Sequence, residues 1–116
     1  MTDDLVTKIF DLTNELTASI GKLKGNGIAL AEAERDYKIK LRQEALKLRS
    51  EKNMPVTLIA QIIYGVPEVA ELRFKRDVAE TIYQTNLEHI NKTKLLIRII
   101  DNQIAREWGT AGKGDL

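Results

Sequence analysis

The sequence predicts an all-α protein: a long antiparallel helical hairpin, coiled-coil-like, with a short corner helix between its arms. Three observations carry this. First, neither Gly nor Pro interrupts the chain between Pro67 and Gly109, and Val69, Tyr83, Ile90, Ile97 and Ile104 share one phase of a seven-residue repeat broken only by Arg76. Leu72, Ala79, Leu87, Ile100 and Trp108 lie on the neighbouring phases, so this is the apolar seam of a helix. Second, apolar residues recur at spacings of three and four through most of the first fifty residues. Third, Leu, Ile, Ala, Lys, Glu and Arg dominate, while aromatics are only 5% and prolines only two, a mixture that favours helix over sheet. At 1.5 Å per residue the Pro67–Trp108 helix would be roughly 60 Å long. The rest of the chain must therefore supply another long surface.

The first helix is expected over 3–24. Asp3 and Asp4 sit at its positive end. Leu5, Ile9, Leu12, Leu16, Ile20 and Leu23 form its stripe. Thr13, Asn14, Thr17 and Ser19 are mediocre helix formers, so packing must hold this segment. Gly21, Gly25 and Gly27 follow within seven residues, each costing up to about 1 kcal/mol in a helix. They are consistent with a turn that makes a three-helix bundle, with a soft spot in one long helix, or with a place of close packing. The reading leans to one bent or continuous helix.

A second helical span is expected over 28–51, with Leu30, Ala33, Tyr37, Leu41, Ala45 and Leu48 facing inward. Glu34 precedes Lys38 by four residues and Glu44 precedes Lys47 by three, giving exposed ion pairs. Asn53 suits a left-handed position after the helix, and Pro55 pushes Met54 out of the helical region. A short helix is expected over 56–64. Gly65 ends it, and Pro67 suits the first turn of the last helix, expected over 67–108. Residues 110–116 read as a flexible tail, so residues 1–109 are one domain.

The seam does not use every apolar residue. Val78, Ile82, Leu96 and Ile99 form a second stripe on the last helix. Surplus apolar surface argues for self-association, most simply an antiparallel pair of hairpins forming a four-helix bundle as a homodimer. The alternative is that the N-terminal segment folds back over this stripe.

The absence of cysteine removes disulfides, Cys-based zinc sites and cysteine nucleophiles. The acidic start Met1–Asp4 is unlike a signal peptide, and no apolar run reaches the length of a membrane span. A cytoplasmic protein with no membrane partner is expected. The net charge of +1 gives no bulk attraction to nucleic acid, although the first fifteen residues are acidic and Arg35–Lys52 is basic.

No motif carries chemistry. His89 is the single histidine and lacks a companion ligand, so it reads as an exposed or partly packed helical residue. Glu80, Glu88 and Asp101 share a helix with Lys and Arg, a solvated face. Asp101 and Lys94 fall on the seam side and are candidates to pair with the opposite helix. The Gly25–Gly27 and Gly112–Gly114 stretches lack the spacing of phosphate loops. No catalytic residue, cofactor or metal is expected. Thr57–Val69 looks like a helix-turn-helix. However, Ala60 to Gly65 is one residue too long, and Pro67, Glu68 and Glu71 stand where base- and phosphate-reading residues belong.

One resemblance adds to this. Ala31–Tyr37, Leu48-Arg49, Met54–Ile59 with Gly65, Leu72–Glu80, Ile99–Gln103 and Arg106–Gly109 together resemble small helical accessory proteins of phages and prophages of Gram-positive bacteria, over about residues 28–109. The resemblance implies an early phage protein near replication, recombination or host takeover, and transfers no catalytic residue. The expected function is therefore a non-enzymatic phage or prophage protein in the bacterial host's cytoplasm. It would bind a host or phage protein through a helical surface, as inhibitor of a host factor or adaptor. The expected partner surface is the basic face Lys38, Arg42 and Arg49 with the corner residues Met54, Leu58, Ile62 and Tyr64. Val78, Ile82, Leu96 and Ile99 are the expected self-association stripe. The alternative is a nucleic-acid-binding protein of phage replication or recombination. A structural coiled-coil part of the virion is a third reading.

Overall fold

The computed structural model of the chain describes the backbone of residues 2–114 and the side chains of residues 3–109. Among the described residues the chain is all-α. Helix α1 spans Thr2–Glu51, α2 spans Val56–Ile62, a 3-10 turn covers Ile63–Gly65, and α3 spans Pro67–Gly114.

Two of the expected helices are one. The spans 3–24 and 28–51 join in α1, which passes through Gly21, Gly25 and Gly27 with negative φ at each. This is the continuous alternative, and it excludes a reversal of the chain here. The physical reason is that glycine weakens a helix without removing the backbone N–H, as proline does. A Cβ at Gly21 or Gly25 would meet nothing within 4 Å, while at Gly27 it would meet the Tyr83 ring at 3.6 Å. Gly27 thus marks close packing against a side chain.

The structure divides into two compact units, residues 1–24 with 85–116, and residues 25–84. In the second, α1 and α3 run antiparallel, because Gly27 lies against Tyr83 while Tyr37 lies under Arg76. Its buried apolar residues are Tyr37, Ile59, Ile63 and Val69. Val69 is fully buried, contributing roughly 1.5–3 kcal/mol.

The turn between the helices is specified residue by residue. Asn53 takes φ 50°, a left-handed conformation that Asn tolerates well. The N–H groups of Lys52 and Met54 both donate to the Leu48 carbonyl at 3.3 Å, and the Arg49 guanidinium donates to the Met54 carbonyl at 3.0 Å. Pro55 then accepts the first bonds of α2 from Leu58 and Ile59. The expected helix over 56–64 is shorter. It tightens into the 3-10 turn from Ile63, which brings the chain to Pro67 at the first position of α3.

The first unit pairs α1 and α3 antiparallel as well. Glu15 meets His89 at 3.0 Å, and Asn86 donates to the Ser19 carbonyl at 3.0 Å. Ile90, Ser19 and Thr93 are buried, and the Thr93 hydroxyl is satisfied by the His89 carbonyl. Ser19, not Ile20, faces inward. Ile20 is exposed, because it stands at the edge of the stripe, a third of a turn beyond Ser19. The α3 seam is otherwise as expected: positions 69, 76, 83, 90, 97 and 104 are all buried or half-buried. Trp108 departs from it and is exposed. The α3 backbone remains helical to Gly114, beyond the expected end at Trp108. The expected tail 110–116 therefore begins as helix, and its last two residues lie outside those described.

Candidate functional site: the corner and the exposed apolar rows

Helix α2 is apolar on two sides. Ile59 and Ile63 point inward and are buried, while Leu58 and Ile62, four residues apart on the adjoining side, are 41% and 40% exposed. Tyr64 in the 3-10 turn is 45% exposed and carries the Arg73 guanidinium 4.9 Å from its ring centroid. Burial of the inner pair explains why the segment is helical and apolar. It does not explain the outer pair, and Val56 at the start of α2 is exposed as well.

The remaining expected partner residues divide. Met54 is half-buried and its carbonyl is held by Arg49, so this pair closes the turn. Lys38 pairs with Glu34 at 3.3 Å, as the spacing predicts. Arg42 is exposed. The basic stretch is partly neutralised along its own helix, with Arg35 on Asp36 and Lys40 on Glu44. Glu44 thus pairs back to Lys40 and not forward to Lys47. In the same unit, Lys40, Pro67, Glu68, Glu71 and Leu72 line a shallow cleft of about 510 Å³.

The polar contacts that set register were not legible at the expected positions. Asp101 and Lys94 are exposed and form no ion pair among the described residues. Contacts that do cross between helices include Glu15–His89, Asn86–Ser19 and Arg76 over Tyr37. Arg76 is also bound by Asp77 at 2.9 Å. That hydrogen bond raises the pKa of the guanidinium above its ordinary value.

The stripe Val78, Ile82, Leu96 and Ile99 is exposed at every position. Phe74, Asp77, Val78, Thr81 and Ile82 line a cleft of about 320 Å³ on α3. Among the described residues, no group of acidic, His or Cys side chains is placed to hold a metal ion. No helix there is long and apolar enough to cross a membrane.

Fold and surface define an all-α protein of paired long helices with an apolar corner. Comparison with protein families, curated proteins and solved structures finds no match.

Proposed function

We propose that this is a non-enzymatic accessory protein of a phage or prophage, working as a homodimer in the host cytoplasm and binding a host or phage protein through its helical surface. The observation that carries the reading is the outward row of Leu58 and Ile62 with Tyr64. Arg73 stands over the Tyr64 ring, and Arg49 closes the preceding turn on the Met54 carbonyl. Apolar anchors on a fixed element beside cationic groups have the composition of a protein-binding hot spot. Binding would act by occupying the partner's surface, as inhibitor or adaptor. The resemblance of residues 28–109 to phage accessory proteins supports the biological setting.

The ion pairs along Arg35–Glu44 favour a protein partner over nucleic acid, because they leave fewer cations to neutralise phosphates. The test is capture from host lysate on immobilised protein, comparing the native chain with Leu58→Glu/Ile62→Glu and with Arg42→Glu. A specific band lost with the corner variant is expected. A band that survives the corner variant would move the partner elsewhere. A DNA or RNA mobility shift that weakens steeply with salt would replace this reading with the nucleic-acid one.

A further inference from the structure

We propose that the corner takes an amphipathic helix of the partner protein that carries a carboxylate beside its apolar row, and that Arg73 receives that carboxylate. The inference rests on the corner as the partner surface and names the chemistry of what docks there.

Arginine stacks on tyrosine twice in the unit of residues 25–84, and the two stacks differ. Arg76 lies 4.7 Å from the Tyr37 ring centroid and Arg73 4.9 Å from that of Tyr64. Arg76 also meets the Asp77 carboxylate at 2.9 Å, so its charge is balanced within the chain. Arg73 forms no ion pair among the described residues. Its own helix offers it no other acid. The positions one turn away on α3 are Val69 and Ala70 before it and Arg76 and Asp77 after it, and Asp77 is engaged by Arg76. A guanidinium stacked on a ring uses its flat face. Its N–H donors lie in the plane, the geometry that binds a carboxylate through two parallel hydrogen bonds.

The segment under Arg73 sets the rest of the ligand. The fifteen residues Asn53–Pro67 carry no charge, although charged residues make up 30% of the chain. Within them Leu58, Ile62 and Tyr64 stay exposed while Ile59 and Ile63 fill the inside. Leu58 and Ile62, spaced by four, present one ridge, the pattern that packs against a second helix. A single uncompensated cation stacked on an uncharged apolar segment matches one carboxylate beside apolar side chains. It does not match a polyanion. Nucleic acid is held by several cations along its phosphates, and an anionic lipid surface by clusters of about four to eight.

The probes are two synthetic helical peptides with the same leucine row, one with Glu beside the row and one with Lys at those positions. Binding is read by fluorescence anisotropy, with circular dichroism confirming the helicity of every variant. The Glu peptide is expected to bind the native chain at least about tenfold more tightly than the Lys peptide. Arg73→Glu is expected to reverse that order, and Leu58→Glu/Ile62→Glu to abolish binding of the Glu peptide. Equal binding of the two peptides, or a preference that survives Arg73→Glu, would overturn the role of Arg73. Glu-peptide binding that survives Leu58→Glu/Ile62→Glu would overturn the corner as its site. Sedimentation with phosphatidylglycerol vesicles that is lost in Arg73→Glu would overturn the peptide in favour of a lipid surface. Failure of both peptides to bind would overturn this ligand, while a lysate band lost with Leu58→Glu/Ile62→Glu would still support the corner as a partner surface.

Discussion

The Arg76 guanidinium lies 4.7 Å over the ring of Tyr37. This explains the one break in the α3 seam. A long cation takes an apolar phase because an aromatic face on α1 receives it, while Asp77 holds its far side. Such a contact contributes about 0.5–1 kcal/mol near a surface. A double-mutant cycle with Tyr37→Leu and Arg76→Met, read by urea unfolding, is expected to return a coupling of about that size. Additive single effects would show that the stacking contributes nothing.

Gly21 and Gly25 lie in a regular helix with open space where a Cβ would stand. Gly21→Ala and Gly25→Ala should each stabilise the protein by roughly 0.5–1 kcal/mol. Thermal unfolding followed by circular dichroism measures this. A loss of stability in both would mean that the chain turns there.

Asn53 sits at φ 50°. Asn53→Gly should be neutral or mildly stabilising. Asn53→Val should cost about 1–2 kcal/mol, because a β-branched residue is strained in the left-handed region. Equal midpoints for the two variants in urea would argue against that backbone.

Ile90 and Leu58 separate core from surface. Ile90→Ala should cost about 2–5 kcal/mol through lost burial and a cavity. Leu58→Ser should stay within about 0.5 kcal/mol, since Leu58 is exposed. A large cost for Leu58→Ser would mean that the corner is committed to the fold and not free for a partner.

Asn86 donates across the helix pair to the Ser19 carbonyl. Asn86→Ala should cost about 1 kcal/mol, detectable as a shift in denaturation midpoint with an unchanged slope. An unchanged midpoint would remove this bond from the contacts that set register.

The helices and their inward faces were legible because apolar periodicity is local and repeats many times. The α3 seam from Val69 to Ile104 and the left-handed Asn53 follow from residue type and spacing alone. Other features depend on what lies opposite, which no spacing reports. Asn86 reaches the Ser19 main-chain carbonyl across the helix pair, a partner no spacing reveals. Arg76 stays on the seam because Tyr37 receives it. Gly21–Gly27 remains helical because three small penalties of up to about 1 kcal/mol each do not break a helix packed over its length, a balance that only tertiary contacts decide. The outer positions Leu58, Val78 and Ile82 were visible as surplus apolar residues. Their exposure could be read only once the inner faces had been filled by other residues.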